Sequence, residues 1–274
     1  MSADWLEVHA GDAPLIVGFP HTGTDIPAEI EAGLVSPWLA RKDADWWIDR
    51  LYAFARELGA TTVRTRLSRT VIDVNRDPSG ASLYPGQATT ELCPTTTFDG
   101  EPLYRGGAEP DAAEIAARRE RWFSPYHAEI EAQIARLKTR YGAVVFYDAH
   151  SIRSRIPRLF EGELPHFNIG TNGGATCAPE LAAGVAAACD RPGYRHVVDG
   201  RFKGGWATRR YGRPDEGVHA IQMELACRAY LDEPDSEVGP DNWPAPFDEA
   251  RASACRAVLG EVLSACLAFA ETRS

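Results

Sequence analysis

The chain has 274 residues, enough for one large α/β domain or two smaller ones, and a fold of this size needs no covalent staples to hold its core. Hydrophobic residues make up 44% and charged residues 25%, the balance of an ordinary globular enzyme. The net charge of −10 argues against general binding to nucleic acid or to an anionic membrane, which calls for a basic surface; a local arginine cluster can still outweigh that field at an acidic substrate.

In chain order, the N-terminus lacks a basic region, and its longest apolar stretch is Leu15–Phe19. No window approaches the roughly 20 apolar residues that span a bilayer, so a cytoplasmic protein is expected. Leu15–Phe19 stops at Pro20 and predicts a buried strand emptying into a loop. Residues 36–59 predict one helix: Ser36 as N-cap, Pro37 at the first position, an apolar stripe of Trp47, Leu51, Phe54 and Leu58, and Gly59 as the stop. β-Branched strands are expected at 61–66 and 70–74, then a turn at Asp77-Pro78-Ser79-Gly80. Residues 78–108 form a long Gly-, Pro- and Thr-rich loop of the kind that covers a site.

A helix follows over 111–138, with a break near Pro125. Residues 143–147 are the clearest buried strand, with Asp148 and His150 at its carboxyl end. After an irregular stretch at 151–175 come a helix at Pro179–Cys189, a short strand at His196–Val198 and a glycine-bearing loop at 202–212. Residues 218–225 alternate strictly, with Val218, Ala220, Gln222 and Glu224 on one face. A helix over 247–270, rich in alanine and leucine, packs on the outside. The six cysteines, Cys93, Cys177, Cys189, Cys227, Cys255 and Cys266, form no CxxC pair and read as small buried hydrophobes in a reducing compartment.

This alternation predicts a mixed, mostly parallel sheet with helices on both faces, in one domain over 1–274. Sites in such sheets form beyond the carboxyl ends of strands, which makes His21 in PHTGTD and His150 in DAHS neighbours. Two strand-end histidines point to a metal site, because neutral imidazole is the commonest metal ligand and a catalytic zinc takes three protein ligands plus water. The third ligand is expected to be a carboxylate. Asp25, Asp43 and Asp45 are the candidates; Asp45, between aromatic residues that would dry the site, is preferred. Asp148 suits a partner that orients His150.

Glu224, flanked by Met223 and Leu225, is positioned to take a proton from a water whose pKa the metal lowers from ~15.7 to about 7. Arginines at 69, 76, 153, 155, 209 and 210 lie at strand ends or loops beside the histidine motifs. Guanidinium forks match carboxylates, so their convergence predicts a dianionic small-molecule substrate. There is no GxSxG elbow, Walker A motif or HExxH.

The segments PHTGTDIP, DADWWIDRLYAFARELGA, SRTVIDVNR, FDGEPLYR, YDAHSIRSRIPRLFEGELPHFNIGTNGG, GRFKGGWATRRYG and HAIQMEL resemble the N-formylglutamate amidohydrolases, over about residues 14–230. That resemblance implies hydrolysis of N-formyl-L-glutamate to formate and glutamate, as in histidine degradation. It also implies a three-layer fold similar to zinc carboxypeptidases and aspartoacylases, the phosphorylase/hydrolase-like architecture. A sibling activity on another N-acyl acidic amino acid, or non-catalytic binding of acidic metabolites, are the rival readings.

By the same resemblance, His21 and His150 hold zinc and Glu224 is the base. Arg69 polarises the scissile carbonyl, and Asn75 and Arg76 hold a substrate carboxylate, with Arg155 or Arg209 as a second clamp. The wider group's His-x-x-Glu is not kept, since Thr24 stands three residues after His21. His127 falls in a recurring segment to which no role attaches beyond packing or substrate contact.

Overall fold

A computed structural model describes residues 4–81, 86 and 89–273, so part of the 78–108 stretch lies outside the described residues. Strands β1 Leu6–His9, β2 Leu15–Phe19, β3 Thr61–Thr65, β4 Val144–Ile152, β5 Phe167–Gly170, β6 His196–Val198 and β7 Val218–Ala226 form one sheet. Their order is β1-β3-β2-β4-β7-β5-β6. β3, β2, β4 and β7 run parallel. β1 is antiparallel to β3, β5 is antiparallel to β7, and β6 is parallel to β5. The mixed, mostly parallel sheet expected from the alternation of elements is therefore present.

Helices α1 Ala28–Glu31, α2 Ile48–Leu51, α3 Ala112–Arg118, α4 Ser124–Lys138, α5 Pro179–Cys189, α6 Trp206–Tyr211 and α7 Glu249–Glu271 surround it. Leu15, Val17, Val145, Tyr147, Ile221 and Met223 share a core with α5 and α7. Ile16, Val63, Val144, Phe146 and Ala220 pack with Ile130 and Ile134 of α4 and Tyr211 of α6. Burial on both faces explains why β2 and the start of β4 read as unbroken apolar runs.

By length and composition α7 is apolar enough to cross a membrane, which corrects the expectation that no stretch comes near that limit. In the fold its stripe of Cys255, Leu259, Val262, Leu263 and Cys266 is fully buried against the core. Asp248 caps its first turn by accepting from the amides of Ala250 and Arg251. All six cysteines are free and buried, as the absence of paired spacings implied.

Three local expectations give way, and the break expected near Pro125 takes a definite form. Residues 36–59 are not one helix but a 3₁₀ turn at Leu39–Arg41, the single turn of α2, and a second 3₁₀ turn at Ala53–Arg56. The amide of Asp45 bonds the carbonyl of His21 at 2.9 Å instead of the helical ladder. Trp47 is left-handed at φ 65°, a conformation costing about 1–2 kcal/mol for a residue with a Cβ. Three indole N–H groups fasten this segment to a distant loop: Trp38 and Trp47 donate to the carbonyls of Trp243 and Ala245, and Trp243 donates to that of Lys42. Residues 70–74 are buried but do not pair as a strand; the hydroxyls of Ser68 and Thr70 both bond the Ala40 carbonyl and turn the chain. The irregular 151–175 stretch contains β5, and β4 runs on to Ile152. The break near Pro125 is a π-helical turn, Arg119–Phe123, which accommodates a ring that lacks an N–H.

Candidate active site

The parallel pairing of β4 with β7 sets Asp148 opposite Gln222 and His150 opposite Glu224. β2 delivers His21 two residues past its end, and the interrupted 36–59 segment turns Asp45 inward. All of these side chains are buried.

The Nδ1 atoms of His21 and His150 lie 3.7 and 3.1 Å from Asp45 Oδ2. One ligand atom from each of His21, Asp45 and His150 lies within 4.8 Å of the others, so this cluster could hold a metal ion. The opposite edge of each imidazole meets a carboxylate: His21 Nε2 is 2.7 Å from Asp73 Oδ1, and His150 Nε2 is 3.0 Å from Asp148 Oδ1. Asn75 Nδ2 is also 2.9 Å from His150 Nε2, but that amide donates to Asp148 Oδ2 at 3.0 Å, and an N–H on Nε2 directed at the carboxylate is the more favourable tautomer. With a carboxylate on each Nε2, the neutral form of either ring would offer Nδ1 as its ligand atom, the arrangement in which carboxylates orient metal-binding histidines. His21 Nδ1 and Asp45 Oδ1 are buried without a hydrogen-bond partner among the described residues. Two nitrogens and a carboxylate with orphaned donor atoms fit a zinc-like divalent ion.

Electrostatics agree with a site short of positive charge. Burial opposes ionisation of Asp45, yet its contacts with His150 and His21 hold it below the usual carboxylate range. Burial likewise opposes ionisation of Asp73, and Arg76, His21 and Arg69 more than offset it. His150 is disfavoured as a cation by burial, but Asp148, Asp45 and Glu224 raise its pKa well above the ordinary value. The Glu224 carboxyl is pushed up to about 8, chiefly by burial, with Asp45 and Asp148 adding to the shift and His150 and Arg69 opposing it.

His21, His150, Glu224 and Gln222 line a cavity of about 250 Å³ together with three arginines, Arg69, Arg76 and Arg201. Arg69 donates to Asp73 Oδ2 at 2.6 Å, and its Nη1 is 3.8 Å from Asp45 Oδ1. Arg76 is held by the carbonyl and hydroxyl of Thr90, and Arg201 by the carbonyl of Leu159. Gln222 accepts from the amide of Gly205 and donates to Glu224 Oε2 at 3.2 Å.

Of the three aspartates weighed, Asp45 alone joins the histidines. Asp25 is half exposed beside Arg66, and Asp43 accepts from the Phe98 amide and faces Arg153. Asn75 lines the cavity, but its amide bonds Asp148 and its Oδ1 accepts from the Ala207 amide, so its polar atoms organise protein. Arg155 lies outside the cavity: it is 69% exposed and paired with Glu163 at 2.6 Å, because the chain has already left β4. Arg209, on α6, bonds the Gly204 carbonyl and does not line the cavity either. Sequence reasoning assigned no role to Asp73 or Arg201; the only signal for Asp73 was its place two residues before Asn75, and Arg201 stands alone beside the glycine-bearing loop.

The model of the N-formylglutamate amidohydrolase family matches residues 13–231. The chain belongs to that family. The N-formylglutamate deformylase of Pseudomonas aeruginosa is 46% identical over 269 residues, covering 98% of both chains. That of Pseudomonas putida is 42% identical, covering 98% of this chain and 97% of its own. Among solved structures, the N-formylglutamate amidohydrolase of Ralstonia eutropha JMP134 superposes with a TM-score of 0.80 at 23% identity, over 99% of this chain and 100% of that one. A protein of Agrobacterium tumefaciens gives a TM-score of 0.72 at 19% identity, over 98% and 97% of the two chains. At those identities the structural likeness speaks for the fold.

Both ring nitrogens of His127 are engaged within the fold. The Val74 carbonyl can only accept, so Nε2 carries the proton across 2.8 Å, and Nδ1 accepts from the Tyr211 hydroxyl at 2.5 Å. Burial pushes its pKa down to about 3, against the partial support of the Val74 carbonyl and Asp148. The unfolded chain takes up this proton below about pH 6.5, while the folded chain refuses it until about pH 3. The stability tied to neutral His127 is therefore complete above about pH 6.5 and is lost as pH falls toward about 3. A His127→Gln variant should be less stable by about 1–3 kcal/mol near pH 8. Its melting temperature should fall less steeply than the parent's between about pH 6.5 and 4, a comparison in which the other buried histidines cancel.

Proposed function

We propose that this protein hydrolyses N-formyl-L-glutamate to formate and L-glutamate, using a divalent ion, zinc by donor type, held by His21, Asp45 and His150. The observation that carries the reading is the buried cluster of His21, Asp45 and His150, whose two histidines line a cavity that also presents three arginines, in a chain that shares 46% of its residues with a deformylase of this name. When bound, such an ion supplies Lewis acidity to the formyl carbonyl and lowers the pKa of water.

The chain's own residues supply the rest. Glu224, whose ionised form a cation held beside it would favour, accepts the proton of the attacking water as its oxygen bonds the formyl carbon, and delivers that proton to the departing nitrogen as the C–N bond breaks. Arg69, fixed by Asp73, donates to the oxygen on which negative charge develops. Arg76 and Arg201 face the two substrate carboxylates. Asp73 and Asp148 hold the tautomers of His21 and His150. Free buried cysteines fit the cytoplasmic setting that a catabolic enzyme of this kind implies.

Formate release from N-formyl-L-glutamate tests the reading: the purified protein should be active, and a chelator should abolish turnover until zinc is restored. Activity that persists after metal has been removed to below stoichiometric traces counts against the assigned ion. Glu224→Gln should retain metal, as measured by elemental analysis, while turnover falls by at least about 100-fold. Arg201→Leu should raise KM by about 10-fold or more, because a charge-assisted bond to a carboxylate is worth about 1.5–3 kcal/mol. An unchanged KM removes Arg201 from the clamp.

A further inference from the structure

The turn at residues 97–101 is tied to the site by more charge than a surface turn needs. Lys42 reaches Asp99 and Glu101 at 2.7 and 2.6 Å, and Arg153 reaches Asp99 and Asp43 at 2.6 and 3.2 Å. Asp43 then accepts from the amide of Phe98 at 2.6 Å, and Arg158 donates to the Phe98 carbonyl at 3.3 Å. Gly100 closes the turn at φ +93°, where a side chain would be strained and would press on Arg158. The backbone of Phe98 is thereby held from both sides.

Its ring is fixed as well. It is buried among Ile152, Ile156, Leu164 and Ala226, and it forms part of the cavity wall. Its centroid lies 4.7 Å from Cζ of Arg69, so the ring covers one face of that guanidinium. One edge of Arg69 is occupied by Asp73, and what stays open faces the His21–Asp45–His150 cluster. An oxygen accepting from Arg69 sits about 2.9 Å from the nitrogen, and its carbon about 1.2 Å further on. The substituents of that carbon therefore fall within reach of the ring stacked on the guanidinium.

We propose that Phe98 is the residue that limits the size of the acyl group: hydrogen, the formyl substituent, fits beside the ring, whereas a methyl or longer chain collides with a wall whose backbone cannot retreat. This rests on the reading that Arg69 meets the scissile carbonyl. The Asp43–Arg153–Asp99–Lys42 network is then the support that makes the wall rigid rather than an isolated set of ion pairs.

The test measures kcat/KM by glutamate release from N-formyl-, N-acetyl- and N-propionyl-L-glutamate, for the parent enzyme, Phe98→Ala and Phe98→Leu. The acetyl-to-formyl ratio should rise at least about tenfold in Phe98→Ala and by an intermediate amount in Phe98→Leu, the scale on which one methylene is discriminated. Taking the ratio removes any general loss caused by a less well-supported Arg69. A ratio that stays constant in both variants, in an enzyme that hydrolyses the formyl substrate, overturns the proposal and leaves the function standing. A parent enzyme inert toward N-formyl-L-glutamate overturns both.

Discussion

Asp45, Asp73, Asp148 and Glu224 are buried around two imidazoles and the guanidinium of Arg69, and the need to balance their charge governs the local design. A carboxylate buried without a partner is costly, and breaking one pair in such a cluster costs about 3–5 kcal/mol. Two of the acids have named counterparts, His21 and Arg69 for Asp73 and His150 and Asn75 for Asp148, while Asp45 lies against the Nδ1 edges of both rings. Glu224, whose nearest polar contact is the neutral amide of Gln222, is the member left most protonated. Four acids against so few permanent cations leave a deficit that a divalent ion at the Nδ1 atoms would fill.

The same constraint explains how closely the backbone is drawn in. Asn75 can serve Asp148 only because α6 approaches it end-on, with the Ala207 amide on Asn75 Oδ1. A Cβ at Gly205 would come within 2.6 Å of Asn75 Nδ2, so the glycine permits the contact. Gln222 takes the Gly205 amide at the same point. The glycine-bearing loop is thus docked on the residues that orient His150, and Arg201 beside it is carried to the cavity.

How far this was legible in the sequence depended on whether the deciding physics was local. The apolar runs of β2 and β4, the alternation of β7 and the alanine- and leucine-rich stretch of α7 are local, and they revealed the central sheet and its covers. His21 and His150 stood out because ligand-type residues at strand ends are informative once the sheet is recognised, and Asp45 because it lies between aromatic residues. Residues 36–59 misled because a good helical stripe was overruled by a single amide that bonds the His21 carbonyl. Thr70 and its β-branched neighbours misled because burial there comes from packing rather than pairing. β1 and β5, four residues each, are too short to show a period. Arg155 and Arg201 are alike in sequence, and only the path of the chain after β4 and β6 separates the one in solvent from the one in the cavity.

The indole clasps on residues 38–47 have a consequence for how the protein comes into being. The segment that presents Asp45 is tied to the carbonyls of Trp243 and Ala245, some two hundred positions further along. A nascent chain can pair β2 with β3 early, yet it cannot complete this anchorage until the stretch beyond β7 has left the ribosome. The three donors are therefore among the last features to reach their final positions, and a chain stalled short of that point would hold both histidines while lacking a fixed third partner for them.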